Sequence, residues 1–483
     1  MQNQGNLIRG VFEYSISTWA NFVIGILSVV ITTRVLKPDV YGLIAIFFSV
    51  SNVMMYILTL GMDGAYIRFY NEPPGRDAKT QLLYKNIVLS SIACFVIGIF
   101  FTVGLGDWLA IAIFGVGGRI LIGLLFLYTF CNIILRYLNI SFRMSFRTFQ
   151  YNFQNILTNC LSKILVIFAA FFTDGFVWIA TIFTIGLFSL LCIYFVTQRK
   201  EYVPFDQNNK LNLSLSLKGY SEYIKFALFS APTYIVVYFN TYVNQQLIRN
   251  MLSSYALGIF SSTVLFASIL SAVKGGFSTF WSAYIYQNYK NDVARIGRVH
   301  DYIVIFAIIA VSVLVICRDL IYLFIGQDYH SSKTFFSLLL VLPVLSFLME
   351  TTDKGLALAK KNHISLMDHA LSVAANIFFC VILIPLFELM GAAIANAVSA
   401  LLLYSLNTFY GQKYYKTITN TNKSIVGVIL IILVLIIPVV FFDIRMILLL
   451  VLIIDAIAIL VYKSESVDMI QRIINIVDIR KKL

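Results

Sequence analysis

The chain has 483 residues, of which 60% are hydrophobic and only 12% are charged, with a mean hydropathy of +0.86. Roughly a quarter of the residues of an ordinary soluble domain are charged, so this composition excludes a chain whose surface is mainly in water. The net charge of +13 does not indicate a nucleic acid partner, because cytoplasmic loops of membrane proteins collect Lys and Arg and no basic stretch interleaved with aromatic residues lies outside the apolar segments.

Apolar runs long enough to cross a bilayer recur along the whole chain. A transmembrane helix needs about 20 largely apolar residues, and a segment in lipid must satisfy its own backbone hydrogen bonds, which favours helices over strands. The sequence therefore predicts an all-α polytopic membrane protein with about 14 transmembrane helices. In chain order the predicted spans are 11–35, 40–62, 83–105, 119–140, 150–172, 176–197, 224–247, 256–283, 300–325, 335–357, 364–386, 390–412, 424–442 and 445–462.

The distribution of Lys and Arg predicts the orientation of these spans. With the N-terminus placed inside, 27 of the 36 cations lie on the cytoplasmic side and 7 lie outside, while Lys163 and Lys274 lie in mid-span. An excess of this size predicts that both termini are cytoplasmic, which requires an even number of spans.

The longest polar interruption, at about 198–222, separates the first six spans from the next six. We therefore predict a first lobe with its cytoplasmic linker at 1–220 and a second lobe at 221–420. Spans 13 and 14 with a cytoplasmic tail follow at 421–483.

A faint internal repeat supports the division into two lobes. Arg34 and Gly42 flank the external turn after span 1, and Arg249 and Gly258 flank the turn after span 7. Two related halves are a common plan in secondary transporters.

Signatures of common enzyme sites are missing from the sequence. There is no phosphate-binding P-loop, no Gly-rich dinucleotide loop and no metal-spaced group of histidines, so no catalytic residue and no metal site is predicted. The six cysteines lie in apolar stretches without a CxxC pair and are interpreted as packing residues. The one local cluster, formed by His363, Asp368 and His369, is interpreted as a solvated helix entrance.

Charged side chains inside predicted spans are more informative. Lys163 lies about 13 residues into span 5 and Lys274 about 18 residues into span 8. A charge in mid-bilayer costs at least about 3 kcal/mol and tends to face a water-filled cavity. We interpret both lysines as lining a polar cavity, with structural ion pairs as the alternative. Gly275 and Gly276 follow Lys274 and predict a bend in span 8.

Spans 5 and 7 carry several amide side chains that are unusual in lipid. They either hydrogen-bond neighbouring helices or bind the hydroxyl groups of a sugar, and the sequence leaves both roles open. The tyrosines of span 7, including Tyr234 and Tyr238, are interpreted as lipid-facing. The candidate polar contacts to a substrate are Asn155, Asn159, Asn240 and Asn244.

Three segments together resemble polysaccharide flippases. Residues 61–70, GMDGAYIRFY, resemble the G-x-x-x-A-x-x-R-F ending of their span 2, and residues 244–265 are similar to their junction of spans 7 and 8. The third segment begins at Gly355 and carries Asn376 and Pro385. Over essentially its whole length, the chain resembles the Wzx-type O-antigen and capsule flippases of the multidrug/oligosaccharidyl-lipid/polysaccharide (MOP) exporter superfamily.

The resemblance implies a V-shaped pair of six-helix lobes around a central cavity, working by alternating access. The implied cargo is an undecaprenyl-pyrophosphate-linked oligosaccharide, moved from the cytoplasmic to the outer leaflet of a bacterial inner membrane. The implied partners are this glycan lipid, the bilayer and other membrane proteins of polysaccharide assembly. Lys163 and Lys274 would attract the diphosphate, with Arg34 and Arg249 near the outer mouth.

The energy source is left open by the sequence. No cofactor is predicted, and coupling to a proton or sodium gradient and facilitated flipping are both retained. The candidate gating or coupling residues are Asp63 and Arg68 at the end of span 2, and Glu350 and Asp353 near the cytoplasmic end of span 10. A mutually neutralised structural group with Lys354 is the alternative for the last two.

Two other classes of protein compete with this interpretation. A multidrug cation exporter of the same superfamily would hold a carboxylate deep in its first lobe, whereas the mid-span charges here are positive. A membrane polysaccharide polymerase or glycosyltransferase would carry a large external loop or acidic motifs outside the core, which this sequence lacks. An anionic cargo is therefore favoured.

Overall fold

The structure is a computed structural model that describes residues 2–74, 79–203, 215, 219–289, 292–359, 361–441, 443–468 and 471. Within these ranges the regular secondary structure is entirely helical, as the need to satisfy backbone groups inside lipid predicts. Most of the linker predicted at 198–222 and the basic end of the C-terminal tail lie outside the described residues.

Nineteen α-helices and one 3₁₀-helix, at Gln327–Thr334, lie in the described ranges. The α-helices are α1 (Gln2–Val35), α2 (Pro38–Thr59), α3 (Met62–Phe69), α4 (Lys79–Phe114), α5 (Arg119–Met144), α6 (Thr148–Ala170), α7 (Phe176–Thr197), α8 (Arg199–Tyr202), α9 (Ser221–Met251), α10 (Ser254–Ala267), α11 (Ile269–Asn288), α12 (Val293–Ile316), α13 (Arg318–Tyr322), α14 (Phe336–Leu339), α15 (Val341–Thr352), α16 (Lys354–Leu358), α17 (Asn362–Tyr414), α18 (Thr421–Val440) and α19 (Ile444–Val461).

The number of membrane-spanning helices agrees with the sequence. Eleven of the described helices are long and apolar enough to cross a membrane, and two bent helix pairs raise the number to 13. The 53-residue helix α17 consists of two helices that meet at Glu388, where φ is 51° and ψ is −129°. Its division brings the spans in the described residues to 14, so the prediction of about 14 transmembrane helices is confirmed.

The break in α17 has a local cause in the sequence. Pro385 removes a backbone donor just before Glu388. A Cβ on Gly391 would lie 2.1 Å from the carbonyl oxygen of Leu383, so the second helix can begin this close to the first only with glycine at that position. The predicted boundary between spans 11 and 12 coincides with this turn.

Span 8 bends earlier than the paired glycines predict. Helices α10 and α11 meet at Ser268 with an angle of 40° between them, whereas Gly275 and Gly276 lie inside α11. The predicted position was wrong, because glycine permits a bend without removing the helical hydrogen bonds that oppose it.

Residues Met1–Ser261 form the first of two compact units. Helix α4 lies along α5 and α1 lies along α6, while α2 packs against both α5 and α9. At the centre of this unit the buried ring of Phe47 contacts Phe114, Tyr128 and Phe183 at centroid distances of 6.1, 5.4 and 5.1 Å. Contacts therefore group span 7 with the first six spans, and the predicted boundary at residue 220 stays a prediction.

Two glycines allow α2 and the start of α10 to touch within the first unit. A Cβ on Gly42 would lie 2.4 Å from the carbonyl oxygen of Ser254, and one on Gly258 would lie 1.7 Å from that of Pro38. Any side chain at either position would separate the two backbones. The two glycines of the internal repeat thus lie against each other.

Residues Ser262–Leu483 form the second unit, in which the last two spans pack on α12. Lys423 Nζ, at the start of α18, lies 2.7 Å from Glu465 Oε1 and 3.4 Å from Asp301 Oδ2. The hydroxyl of Tyr462 donates to the carbonyl of Lys423 at 2.9 Å. These bonds join the cytoplasmic ends predicted for spans 9, 13 and 14.

Removal of the Glu465 charge is expected to destabilise this junction. Burial alone would raise the pKa of Glu465, but hydrogen bonds from Lys423 and Ser464 outweigh burial and hold the pKa below its ordinary value. A carboxyl with a lowered pKa stabilises the fold above its unfolded-state pKa and loses that contribution as the pH falls through the folded-state value. Glu465→Gln should therefore reduce the free energy of unfolding by about 1–3 kcal/mol at pH 7.

The same difference should shrink as the pH falls below about 4.3, the ordinary pKa of glutamate, and should disappear once the pH is below the lowered folded-state pKa. Thermal unfolding in detergent at pH 7 and pH 3.5 measures both effects. Glu72→Gln, which changes an exposed carboxylate, is the control. An equal loss of stability at the two pH values would contradict the electrostatic explanation.

Candidate functional site

A row of polar side chains joins α1 to α6 inside the first unit. Ser17 and Asn21 lie one helical turn apart and therefore on one face of α1. Asn21 Nδ2 donates to Asn155 Oδ1 at 3.3 Å, and Asn155 Nδ2 donates to Ser17 Oγ at 3.5 Å. The backbone N–H of Ser17 donates to Asn152 Oδ1 at 3.3 Å. We call this row, with Gly25, Asn159 and Lys163 that continue it, the α1–α6 polar seam.

Lys163 lies at one end of the α1–α6 polar seam, opposite Gly25. Its Nζ is 3.4 Å from the position that a Cβ on Gly25 would take, so the missing side chain leaves room for the ammonium group. The lysine is half-buried, and in the described part of the chain no carboxylate lies within ion-pair distance of its Nζ. A cation held inside a span without a protein counter-charge is available to an anionic ligand.

Arg249 is engaged by the end of a neighbouring helix. Its Nη1 and Nη2 donate to the carbonyl oxygens of Ile113 and Ala112 at 2.7 and 2.8 Å, and Gln246 Nε2 donates to Ile113 at 2.8 Å. These carbonyls belong to the last turn of α4, where a cation also complements the helix dipole. The guanidinium predicted for the outer mouth therefore caps α4.

Asp63 and Arg136 form a buried ion pair between α3 and α5. Asp63 is 2% exposed, and Arg136 Nε and Nη2 both donate to its Oδ2, at 2.9 and 2.6 Å. The guanidinium carbon also lies 5.0 Å from the centroid of the Tyr56 ring. Arg68, which the sequence grouped with Asp63, instead lies 3.9 Å from Glu72 in an exposed pair.

Lys274 belongs to a charge cluster in the second unit. Its Nζ lies 3.6 Å from Glu350 Oε1, and Lys354 Nζ lies 2.9 Å from Glu350 Oε2. Ser278 donates to the same oxygen at 2.8 Å, and Asp353 lies 3.4 Å from Lys354. Two lysines and two carboxylates thus share one site, and Lys274 has a counter-charge that Lys163 lacks.

Burial and ion pairing have opposite effects on the pKa of Asp353 and of Lys354, the two members of this cluster that lie beyond the helix α15. Burial raises the pKa of Asp353 despite the opposing attraction of Lys354. For Lys354 burial would lower the pKa, but Asp353 and Glu350 outweigh it and raise the pKa. Asp353 is therefore easier to protonate than an ordinary aspartate, while the lysine stays charged.

Asp368 differs from its interpretation as part of a solvated helix entrance. His363 is exposed, in keeping with that interpretation, but Asp368 is 0% exposed. Within the described residues neither carboxylate oxygen has a hydrogen-bond partner. The neighbouring His369 is half-buried and lies within electrostatic range of Lys274.

The remaining predicted polar residues differ in exposure. Arg34 is exposed in the last turn of α1, and Asn159 is exposed and donates to the carbonyl of Asn155 at 2.9 Å. On α9, Asn244 is buried, and Asn240 is half-buried with an Oδ1 that has no partner in the described residues.

The sequence did not predict the contacts of Tyr56 and Arg136 or the burial of Asp368. Arg136 was counted only as a cytoplasmic cation, although it lies four residues before the predicted end of span 4 at residue 140. Its depth in the span was the signal that could have identified it. The burial of Asp368 depends on neighbouring helices and had no comparable signal.

The fourteen apolar spans in the described residues, with charged and amide side chains inside them, define a multi-pass α-helical membrane protein. The family described as polysaccharide biosynthesis protein matches residues 7–286, which is more than half of the chain. The chain belongs to that family.

Solved structures show the same fold at low sequence identity. The chain is similar to the lipid II flippase MurJ in its inward closed conformation, with a TM-score of 0.67 and 18% identity over 95% of this chain and 99% of MurJ. An inward-facing multidrug resistance MATE transporter of the MOP superfamily gives a TM-score of 0.56 and 16% identity over 82% and 94% of the two chains. MATE in its bent conformation gives 0.53 and 15% over 84% and 94%. No curated protein matches the chain.

The family match confirms the resemblance to proteins of polysaccharide biosynthesis, and the solved structures show the fold that the resemblance implies. A lipid flippase and drug transporters share this architecture. The cargo therefore has to be inferred from the side chains.

The Asp63–Arg136 pair gives a test of the packing around α3. Asp63→Asn leaves a partly buried guanidinium without its counter-charge, so the free energy of unfolding should fall by about 3 kcal/mol. The double variant Asp63→Asn/Arg136→Met removes both charges and should recover much of the loss. Thermal unfolding in detergent measures both variants.

Arg68→Gln, which removes an exposed cation paired at 3.9 Å, is the matched control and should change stability by less than about 1 kcal/mol. An Asp63→Asn variant as stable as the wild type would contradict a structural role for the pair.

Proposed function

We propose that this chain is a flippase for an undecaprenyl-pyrophosphate-linked oligosaccharide, an O-antigen or capsule repeat unit, which it carries from the cytoplasmic to the outer leaflet of a bacterial inner membrane. Both termini lie in the cytoplasm in this proposal, following the excess of cations on that side. Family membership supports transport of a polysaccharide precursor. The observation that carries the proposal is the unpaired Lys163.

Lys163 favours an anionic cargo for an energetic reason. An ammonium group inside a span without a counter-charge costs at least about 3 kcal/mol unless water or a ligand compensates it. A diphosphate offers several charged oxygens for charge-assisted hydrogen bonds, which are among the strongest in proteins. A cationic drug would be repelled at the same position.

The rest of the α1–α6 polar seam suits the remainder of such a cargo. Amides both donate and accept hydrogen bonds, as sugar hydroxyls do. Asn159 is exposed and Asn155 is half-buried, so both are accessible to a headgroup next to Lys163. The lipid tail remains in the bilayer and needs no polar partner.

Alternating access requires contacts that close tightly and separate again. The backbone contact at Gly42 and Gly258 is suited to this, because it is formed without interlocking side chains. Farther along, α2 and α9 are joined by polar bonds, since Ser49 Oγ donates to Gln245 Oε1 and the Tyr56 hydroxyl donates to the Tyr238 hydroxyl at 3.5 Å. In this proposal span 2 separates from spans 7 and 8 along this line during transport.

The multidrug cation exporter remains the second candidate, because MATE transporters share the fold. A drug exporter would need a buried carboxylate in the first unit. Among the described residues that carboxylate is Asp63, and Arg136 neutralises it. A neutralised carboxylate attracts a cationic drug weakly, which supports the anionic cargo.

Flipping by purified protein in liposomes tests the proposal. With a fluorescent polyprenyl-diphosphate oligosaccharide as cargo, Lys163→Gln should reduce the rate about tenfold or more, since a charge-assisted hydrogen bond contributes about 1.5–3 kcal/mol. Lys163→Arg keeps the charge and should retain most of the rate. Lys37→Gln, which removes an exposed lysine, is the matched control.

Two outcomes would overturn the proposal. If Lys163→Gln flips the glycan lipid as fast as the wild type, Lys163 is not a binding site for the diphosphate. Ethidium transport by liposomes that do not flip the glycan lipid would instead establish the drug-exporter function.

We also propose that Asp368 couples transport to a proton gradient. Glu350 and Asp353 share two lysines, so their charges are balanced. Asp368 has no partner in the described residues, and an unpaired charge at such a buried position is costly. A carboxyl that is neutral when buried and charged when water reaches it can carry a proton across the transport cycle.

Asp368→Asn should abolish the response of flipping to an imposed pH gradient while leaving the rate without a gradient within about twofold, because asparagine keeps the shape of the neutral acid. Asp39→Asn, at an exposed aspartate, is the control. A response to sodium alone, or an unchanged response in Asp368→Asn, would contradict proton coupling through this residue.

A further inference from the structure

Three tyrosines and an arginine form a mixed aromatic and charged cluster in the first unit. The buried ring of Tyr56, on α2, stacks with Tyr238 at 4.6 Å and with Tyr234 at 5.4 Å, at interplanar angles of 21° and 11°. The guanidinium of Arg136 lies 5.0 Å from the same ring and is held by Asp63. The sequence had assigned Tyr234 and Tyr238 to the lipid-facing surface.

The side chains at this cluster differ in exposure. Tyr56 and Asp63 are 4% and 2% exposed, whereas Tyr234 is 45% exposed and the Arg136 side chain is 33% exposed. Arg136 uses Nε and Nη2 for Asp63, and in the described residues its Nη1 donates no hydrogen bond. Next to Tyr56, the cluster thus has an exposed aromatic ring and a guanidinium N–H without a partner in the described residues.

The charge balance of the cluster selects the chemistry of a ligand. Asp63 neutralises Arg136 at 2.6 Å, so the site has little net attraction for a diphosphate. A guanidinium N–H still donates well to a neutral hydroxyl oxygen. The electron-rich face of a tyrosine attracts the partly positive C–H groups on one face of a pyranose ring.

We propose that Tyr234 and Arg136, supported by Tyr56, Tyr238 and Asp63, form a subsite for one neutral pyranose ring of the cargo. The sugar stacks on the open surface of Tyr234, and a ring hydroxyl accepts a hydrogen bond from Arg136 Nη1. This subsite is separate from Lys163, which takes the diphosphate. The inference rests on the proposed function in that it assigns a glycan to the cargo, but sugar binding can be measured without transport.

Saturation-transfer NMR on the full-length protein in a zwitterionic, sugar-free detergent tests the subsite. The probes are maltotriose and N,N′-diacetylchitobiose, with glycerol as the non-pyranose control. The wild type should transfer saturation to the C–H protons of at least one of the two pyranosides. Tyr234→Ala should weaken that binding about tenfold, since loss of an aromatic contact of this kind is worth about 1.4 kcal/mol.

Conservative variants separate stacking from a structural role. Tyr234→Trp and Tyr234→Phe keep an aromatic surface and should retain binding. Phe229→Ala removes another exposed aromatic side chain of α9, 83% exposed, and should leave binding unchanged. Lys37→Gln, which removes an exposed lysine, should also leave it unchanged, because Lys37 lies outside the subsite.

The outcomes distinguish this inference from the proposed function. No transfer to either pyranoside, or equal binding by Tyr234→Ala and the wild type at equal thermal stability, overturns the subsite while the Lys163 flipping result stands. Pyranoside binding that depends on Tyr234 in a protein that flips no glycan lipid upholds the subsite and overturns the proposed function.

Discussion

A charge in the hydrocarbon core of a membrane must be paired, or it must reach water, since lipid offers it neither hydrogen bonds nor dielectric screening. Most charged side chains inside this chain's spans follow that requirement. Arg136 is held by Asp63, and Arg249 is held by the carbonyl groups at the end of α4. Lys274 faces Glu350. These pairs join helices and leave little charge to offer a ligand.

Lys163 and Asp368 depart from this pairing, and we propose a role beyond structure for both. Lys163 and Asp368 are both inside spans and both lack a counter-charge in the described part of the chain. Their charges are opposite, and they belong to different compact units. An unpaired cation is suited to hold an anionic headgroup, and an unpaired buried carboxyl is suited to exchange a proton. In our proposal, the membrane's requirement for pairing distinguishes these two charges from the charges with a structural role.

The packing of this fold also depends on the close approach of helix backbones to one another. Helices in lipid gain little from burying apolar surface against one another, so packing depends on small residues at their contacts. Gly42 and Gly258 bring α2 and α10 together, and Gly391 turns α17 back on itself. Gly25 serves a different purpose, because its missing side chain leaves space for Lys163. Glycine thus provides both tight contacts and room for a charge.

The two candidate recognition elements differ in net charge, and in our proposal this difference assigns each to a separate part of the cargo. Lys163 carries an unbalanced positive charge among amides, while the cluster around Tyr234 is electrically balanced and aromatic. A lipid-linked oligosaccharide presents a strongly charged diphosphate and largely neutral sugar rings. A protein that binds both parts needs two kinds of surface. A cationic surface attracts the diphosphate, but at neutral sugar hydroxyls its donors only replace water.

The sequence by itself determined the class of fold, the number of spans and the turn between spans 11 and 12. These follow from hydropathy, from the length of a bilayer and from the local effects of Pro385 and Gly391, all of which act within a short stretch of chain. It also identified Lys163 as exceptional, since depth in a span can be read from position alone. Only the tertiary structure decided which charges are neutralised, because Arg136 meets Asp63 across 73 positions of sequence and Lys274 meets Glu350 across 76. The burial of Asp368 and the stacking of Tyr234 on Tyr56 depend on the faces that neighbouring helices present, which no local pattern specifies.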